Sequence, residues 1–358
     1  MQENNLRKLA KFSFWFGCVI SAILLPASCT KKTATAIGTN NSNKISNSEF
    51  VIINDTQSVQ PLIIGGYNIG YRTLSRINNM KTCIITIGES ESADFSGIEQ
   101  LQNVKHLMIT LMDTRDVDFS LLKTLPKLES VEIGGSGLIA MPDLSYIPLL
   151  TILELNYGKL KSLNGIEKIT SLERLSITGN RERITDISAM RHLEKLKYFS
   201  FDNGFYNIDF SVLGYLPELE ELSINAYGEF YLMGISQLNS LKLLRITSNV
   251  TKDIKIRSVY KNIEEIGGIT GLKELYIDES ITSVEFLANN VNLEELVLIA
   301  DKERDDYWDE LLPLDIKPLG NLTKLKRLII RGFELENVDA VKKLPKLEYF
   351  DTALYESE

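Results

Sequence analysis

The sequence predicts an α/β solenoid, in which short parallel strands stack side by side and each strand is followed by an outer turn. The first observation is a hybrid spacing in "SLERLSITGN", where Leu172, Leu175 and Ile177 are three and then two residues apart. A helical face would continue at spacings of three and four, whereas alternation is typical of a half-buried strand. The pattern therefore predicts a tight turn that runs directly into a strand.

The second observation is that this spacing recurs along most of the chain, for example in "LPKLESVEI", "LPELEELSI" and "ITGLKELYI". The residue that opens each predicted strand falls at positions 83, 107, 131, 153, 175, 199, 222, 244, 275, 296, 328 and 350. Most steps are 21 to 24 residues, a period that is typical of solenoids whose coils share one continuous core.

These recurring segments resemble the leucine-rich repeat family over residues 77 to about 352. A second apolar triplet, as in "ITDISAM" and "LKSLNGI", resembles the internalin-like subclass with 22-residue repeats. The resemblance implies a horseshoe of about 12 repeats in residues 77–358, with a parallel concave β-sheet and 3₁₀ or irregular turns on the convex side. The family's asparagine at the strand exit is present at Asn180 and Asn249 and mostly replaced elsewhere, so we expect looser turns.

The N-terminal segment reads as an export signal. Basic residues precede the apolar run "FSFWFGCVISAILLP", and small residues lead into Cys29. The stretch "LLPASC" resembles the lipobox of bacterial lipoproteins, which implies lipid attachment at Cys29 after removal of 1–28; the alternative is a plain secretory signal. Polar residues 29–49 are predicted to form a flexible tether.

Both ends of the solenoid need covering. Residues 50–76 are predicted to form strands that cap the first coil, whereas the last coil is expected to be covered either by Leu354 and Tyr355 or by a partner.

Composition excludes several classes of function. The chain carries a formal net charge of −9, and removal of 1–28 takes away one acidic and three basic residues, which gives −11. This charge disfavours nucleic acid as a partner. Only Cys83 remains besides Cys29 after processing, so no intrachain disulfide is expected within the fold. Two histidines and one cysteine do not make a typical zinc site, and we expect neither a metal nor a cofactor nor a small-molecule substrate.

The repeat register places every second strand residue on the concave face. Near the C-terminal end, Tyr276, Val297 and Ile329 are predicted to be neighbours, which gives an apolar strip with a charged rim, as in protein interfaces. The flanking residues of this candidate site are Glu274, Asp278, Glu295, Arg327 and Arg331.

Two longer intervals between strands bracket the strip. One insertion is basic, and the other is acidic and contains Tyr307 and Trp308, a candidate aromatic hot spot. Alternatively, the two loops pair with each other and cover the strip. Tyr198, beside Glu221, is a second and weaker candidate.

We therefore interpret the chain as a bacterial, exported, lipid-anchored protein that binds another protein or surface macromolecule through its concave face. The membrane is reached through the lipid, and an outer-membrane or cell-surface location is favoured. The alternative is a structural envelope subunit packed permanently against a sister protein or its own copy. No enzyme activity is expected; a remote alternative is a hydrolase that uses His106, Ser130 and Glu132.

Overall fold

In a computed structural model of the chain, the residues described are 62–65, 81–87, 92–93, 95, 98–112, 116–182, 184–202, 209–226, 229–248, 259–278, 281–300 and 311–352. All of them belong to one unit, Ile45–Glu358. None of the helices in these ranges has the length and apolar character needed to span a membrane.

A parallel sheet of 13 strands forms the spine of the fold. Each strand pairs with the strand of the next coil, with one partner residue per position and no slip in register. In order, its strands are β1 (Leu62–Gly65), β2 (Thr82–Ile87), β4 (His106–Leu111), β6 (Ser130–Gly134), β7 (Ile152–Asn156), β8 (Arg174–Thr178), β9 (Tyr198–Asp202), β10 (Glu221–Ala226), β12 (Leu243–Ser248), β14 (Glu274–Asp278), β15 (Glu295–Ile299), β17 (Arg327–Arg331) and β19 (Tyr349–Asp351).

The predicted strand positions are confirmed, because each of the twelve predicted opening residues lies in a strand of this sheet. Within β8 the side chains alternate as predicted. Leu175 and Ile177 are completely buried, whereas Arg174, Ser176 and Thr178 on the other face are partly exposed. The alternation follows from the two-residue period of a strand that has a core on one side only.

Three short sheets lie outside the main sheet. They are formed by β3 (Ser92–Ala93) with β5 (Asp116–Val117), β11 (Glu229–Tyr231) with β13 (Val259–Lys261), and β16 (Leu312–Asp315) with β18 (Phe333–Glu336). Each joins neighbouring coils, so they extend the coil-to-coil hydrogen bonding beyond the main strands.

The outer side of the coils turns through short 3₁₀-helices, as the family resemblance implied. They are Ile98–Gln100, Ser120–Thr124, Ile166–Lys168, Ser188–His192, Phe210–Tyr215, Ile235–Gln237, Ile263–Gly268, Glu285–Asn289 and Lys317–Asn321, and one α-helical turn, α1, spans Asp339–Lys342. Each contributes buried apolar residues to the continuous core, such as Met190 and Phe210.

An aspartate two residues before a backbone N–H fixes several of these outer turns. The carboxylate of Asp186 accepts from the Ser188 N–H at 2.7 Å, and that of Asp209 accepts from Ser211 at 2.9 Å. This is an Asx-type cap of the 3₁₀ turn. The same contact is made by Asp118, Asp143 and Asp315.

Strand exits are closed by two different devices. Asn180 is buried, donates to the Leu160 and Glu182 carbonyls and accepts from the Leu160 N–H, which is the role the family assigns to it. Gly332 has φ +82°, and a Cβ there would lie 2.0 Å from the Ala300 carbonyl oxygen. Only glycine fits such an approach. Asn249 lies outside the described residues.

The two ends of the solenoid differ in what is described. At the N-terminal edge β1 pairs with β2, and the rest of 50–76 lies outside the described residues, as do 1–49. In the last coil Leu347 and Phe350 are only partly buried, whereas their counterparts in the preceding coil are fully buried. Residues 353–358, with Leu354 and Tyr355, lie outside the described residues, so their capping role stays a prediction.

Candidate protein-binding face

The concave face consists of the outward-pointing side chains of the main sheet. The register arranges them in three columns that cross the strands. From β2 onward the first column runs Thr82, His106, Ser130, Ile152, Arg174, Tyr198, Glu221, Leu243, Glu274, Glu295, Arg327, Tyr349; on β4 the second column holds Met108 and the third holds Thr110. Neighbours within a column are on adjacent strands, about 4.8 Å apart.

The predicted apolar strip is assembled by the register, because Tyr276, Val297 and Ile329 are successive partners on β14, β15 and β17. Two of its three side chains have little solvent-exposed surface for contact with a partner. Val297 is 6% exposed and Ile329 is 8% exposed, whereas Tyr276 is partly exposed. Tyr276 is therefore the member of the strip with most surface to offer a partner.

Ion pairs border this strip. Arg327 Nε lies 3.2 Å from Glu295 Oε1, and the Arg327 guanidinium carbon lies 5.1 Å from the centre of the Tyr349 ring. On the other side, Arg331 donates to Asp351 Oδ2 at 2.5 Å, and Tyr349 donates to the same oxygen at 3.3 Å. The rim charges of the C-terminal strands are thus largely matched within the fold.

Glu274 begins the acidic part of that rim. Its side chain is exposed on β14, opposite Glu295 on β15. Burial and then the charge of Glu295 raise the pKa of Glu274, and Arg245 opposes the rise. Asp278 occupies the third column of the same strand, opposite Ile299.

A second region of the concave face, on β6 and β7, carries two carboxylates in register. Glu132 and Glu154 are partners in the middle column. Glu132 Oε1 accepts from Asn156 Nδ2 at 2.7 Å, and Asn156 Oδ1 accepts from Thr178 Oγ1 at 2.5 Å. This chain of hydrogen bonds fixes the orientation of Glu132.

Both glutamates have raised pKa values. Burial and then the charge of Glu154 raise the pKa of Glu132 to about 7, against the hydrogen bond from Asn156. Burial also raises the pKa of Glu154, and Arg174 opposes it. Partial desolvation of a carboxylate disfavours its charged form, and a second carboxylate nearby adds to the effect.

Two strands further along, β9 and β10 place Asp202 beside Asn225 in the third column. Burial raises the pKa of Asp202 to about 6, and the hydrogen bond from Asn225 opposes it. Asp202 Oδ1 and Asn225 Oδ1 are buried atoms that accept no hydrogen bond in the described part of the chain. The neighbouring middle-column residues, Ser200 and Ser223, are small and partly exposed.

Tyr198, the weaker candidate, lies on the same strand as Asp202, in the first column. The Arg174 guanidinium carbon is 3.5 Å from the centre of the Tyr198 ring, a close cation–π contact. Glu221 is the register partner of Tyr198 on β10 and is partly exposed. The sequence thus found the edge of this region, whereas Glu154, Asp202 and Asn225 were not proposed as binding residues.

The sequence does contain a signal for Glu154, Asp202 and Asn225, because the same register assigns them to the second and third columns of the concave face. The sequence could not show that their acceptors lack partners, since that depends on neighbouring coils. The Asp-X-Ser recurrence in the outer turns is a polar signal of the same period, and the predicted repeat rested on apolar positions alone.

The residues of the remote hydrolase alternative occupy adjacent positions without a catalytic arrangement. His106 and Ser130 are partners on β4 and β6, but no hydrogen bond joins their side chains in the described structure. Glu132 is engaged by Asn156 instead. Within the described ranges no group of three or more metal-ligating residues is assembled, and Cys83 is buried, with burial raising the pKa of its thiol to about 12.

Tyr307 and Trp308 lie in 301–310, outside the described residues, as does Cys29. Their roles in binding and in lipid attachment therefore stay predictions.

Comparisons with known proteins agree on the architecture. No protein-family model and no curated protein sequence matches the chain. Among solved structures, the chain is similar to an internalin (inlF) from Listeria monocytogenes, with 18% identity, a TM-score of 0.50 and coverage of 82% of this chain and 86% of that one. It is also similar to a chain of the mouse RP105/MD-1 complex, with 18% identity, a TM-score of 0.59 and coverage of 82% and 51%.

The chain thus spans about half of the matched chain in the mouse complex. At these identities the likeness concerns the fold alone. Together with the continuous parallel sheet and the 3₁₀ outer turns, it shows that the protein is a leucine-rich repeat solenoid.

Proposed function

We propose that this protein is exported, is anchored to a bacterial envelope membrane through lipid on Cys29, and recognises another protein through its concave face. The observation that carries the binding proposal is the concave face itself, a long parallel sheet whose outward side chains are arranged in three columns by the register. Such a surface offers contacts to a large partner. One similar solved structure is itself a protein complex, that of mouse RP105 with MD-1.

The C-terminal candidate site supplies the anchoring contacts in this proposal. Tyr276 and Tyr349 are the aromatic side chains with exposed surface there, and Arg327 and Arg331 add charged rim contacts. Aromatic and arginine side chains dominate the energetics of protein interfaces. Trp308 belongs to the same proposal through the insertion that follows β15.

Capture from envelope and host extracts by the biotinylated full chain tests the binding proposal. Tyr276→Ala and Trp308→Ala are each expected to weaken binding of the captured partner by more than about 1 kcal/mol. Tyr215→Ala is the matched control, because Tyr215 is 70% exposed on an outer 3₁₀-helix and its loss should leave binding unchanged. Equal binding by all three variants would eliminate the C-terminal site.

The anchor is tested separately. Cys29→Ala should move the protein from detergent extracts to the aqueous fraction, and retention in the membrane would exclude the lipid. Size-exclusion chromatography of the purified protein separates the proposal from a structural subunit, since the latter is expected to form a permanent oligomer.

A further inference from the structure

The centre of the concave face carries several carboxylates, and Arg174, whose charge favours the ionised form of Glu154, balances only part of their negative charge. We define the acidic face as the concave side of β6–β10, with the carboxylates of Glu132, Glu154, Asp202 and Glu221. Within the described residues, none of these carboxylates lies within ion-pair distance of a lysine or arginine. The one basic side chain on this part of the concave face is Arg174, whose guanidinium stacks on Tyr198.

Unmatched acceptors provide a second observation that is independent of charge. Asp202 Oδ1 and Asn225 Oδ1 are buried and accept no hydrogen bond from the described chain. A buried acceptor without a donor is costly and is rare in folded proteins. The described structure has three other buried polar atoms of this kind, Asn290 Oδ1, Arg327 Nε and Arg331 Nε, but only Asp202 and Asn225 are acceptors on register partners of the concave face, where donors from outside the chain would complete the structure.

The shape of the face allows a ligand to approach. Ser176, Ser200 and Ser223 are register partners in the middle column, and they are partly exposed. Their short side chains leave a low floor between the first column, with Tyr198 and Glu221, and the third column with Asp202. A ligand lying along this floor on β8–β10 would have Glu221 on one side and Asp202 on the other, and it would meet Glu154 and Glu132 where the same middle column continues onto β7 and β6.

The geometry of the sheet sets the form of the ligand. From β6 to β10 there are four strand spacings of about 4.8 Å each, or about 19 Å in total. An extended peptide rises about 3.3 Å per residue, so about six residues cover this distance, and alternate side chains point the same way. We propose that the acidic face receives an extended basic segment of a partner protein, with Arg or Lys side chains at alternate positions.

This inference rests on the proposed function and names the chemistry of the partner at the centre of the same face. Arginine and lysine supply N–H donors and positive charge together. Asp202 Oδ1 and Asn225 Oδ1 lack such donors in the described structure. A divalent cation fits less well, because no group of three or more metal ligands is assembled among the described residues.

Defined probes test the proposal on the full chain. Fluorescent octapeptides that alternate serine with arginine, glutamine or glutamate are titrated with protein and followed by fluorescence anisotropy. The arginine peptide should bind, with an affinity that falls as salt increases, and the other two should bind at least about tenfold more weakly.

The central variant combines Glu132→Gln, Glu154→Gln and Asp202→Asn, which keep shape and remove charge. It should lose at least about tenfold in affinity for the arginine peptide. The matched control combines Glu264→Gln, Glu285→Gln and Glu334→Gln, which remove the same charge from exposed positions outside the concave columns and should change affinity less than about twofold.

A second variant keeps the test decisive if the central variant does not fold. Ser200→Arg places a positive charge on the floor of the acidic face and should abolish binding of the arginine peptide. Circular dichroism and urea unfolding verify that the proteins compared are folded.

The outcomes separate this inference from the proposed function. Equal losses in the central and control variants, or equal binding of all three peptides, would overturn the basic-segment proposal and leave protein recognition standing. Capture of a partner that still binds the central variant fully would do the same. If the chain captures no partner and binds no peptide, both proposals fail.

Discussion

Carboxylates stand on the concave face both at its C-terminal end and at its centre, but their surroundings differ. On β15–β19, Glu295 faces Arg327 and Asp351 faces Arg331, and the apolar side chains between them are mostly buried. On β6–β10, Glu132, Glu154 and Asp202 are partly buried without a salt bridge in the described structure, and burial raises their pKa values. The carboxylates of the first region are paired with arginines, although the Nε atoms of Arg327 and Arg331 are buried without a hydrogen bond in the described structure, whereas the carboxylates of the second region have no salt bridge there.

The difference identifies the region in which ionised carboxylates destabilise the folded state. A carboxylate that is paired with an arginine is stabilised in its charged form, whereas a partly buried carboxylate without a salt bridge destabilises the folded state whenever it is ionised. A cationic partner would remove that penalty at the centre, and it would compete with existing ion pairs at the C-terminal end. The two regions should therefore respond oppositely to charge removal.

The largest expected effect tests what the two regions have in common. Leu175→Ala, beneath the central region, and Leu296→Ala, beneath the C-terminal region, each empty a fully buried position of the continuous core. Each should lower the free energy of unfolding by about 2 to 5 kcal/mol, as measured by urea denaturation. A loss below about half a kcal/mol at either position would show that its strand is not packed as described.

Removing a central carboxylate should stabilise the protein, with a clear dependence on pH. The pKa of Glu132 is raised from 4.5 to about 7 in the fold, so the folded state holds the proton more tightly than the unfolded chain. The penalty is absent below about pH 4.5 and complete above about pH 7. Glu132→Gln should therefore raise the free energy of unfolding by up to about 3 kcal/mol near pH 8 and leave it nearly unchanged near pH 4.

The same urea titrations at the two pH values would also reveal the outcome that contradicts this prediction. A Gln variant that is less stable near pH 8 would mean that Glu132 is compensated by groups in the fold, and the contrast between the two regions would disappear. Gln keeps an acceptor for Asn156, so the hydrogen bond at this position is not lost.

At the C-terminal end, removal of a carboxylate should destabilise instead. Asp351 accepts from both Arg331 and Tyr349, and its side chain is 15% exposed. Asp351→Asn should lower the free energy of unfolding by about 1 kcal/mol at neutral pH. A gain in stability, measured by thermal or urea unfolding, would show that the charged carboxylate destabilises the fold here as it does at the centre.

The smallest effect is expected at the more open pair. The side chains of Arg327 and Glu295 are 42% and 41% exposed, and water and salt weaken such a pair. Glu295→Gln should change the free energy of unfolding by less than about 1 kcal/mol, and added salt should reduce the difference further. A larger loss that is insensitive to salt would indicate a role for Glu295 beyond its pair with Arg327.

Much of the architecture followed from particular residues in the sequence. The spacing of Leu172, Leu175 and Ile177 and its recurrence gave the strand positions, the inward and outward assignment and the strip of Tyr276, Val297 and Ile329. These follow because a two-residue period and a repeat length together fix which side chains share a face. The location of Arg174 and Arg327 on the concave face was predictable for the same reason.

The exposed fraction of each side chain and its hydrogen-bond or ion-pair partners were not predictable in this way. Val297 and Ile329 are outward in register but only 6% and 8% exposed, a burial that the register alone does not reveal. The pairing of Arg331 with Asp351 joins neighbouring coils 20 residues apart in sequence. The absence of a donor to Asp202 Oδ1 and Asn225 Oδ1 in the described structure is likewise a property of neighbouring coils.

The sequence by itself determined the solenoid, its strand register and the membership of each concave column, because a repeated local pattern leaves one way to build a shared core. The tertiary structure decided which charged groups are matched, which outward apolar groups are covered and which acceptors are left without donors. Those outcomes depend on distances of a few ångströms between side chains of different coils, and hydrogen bonds and ion pairs change from formed to absent over that range.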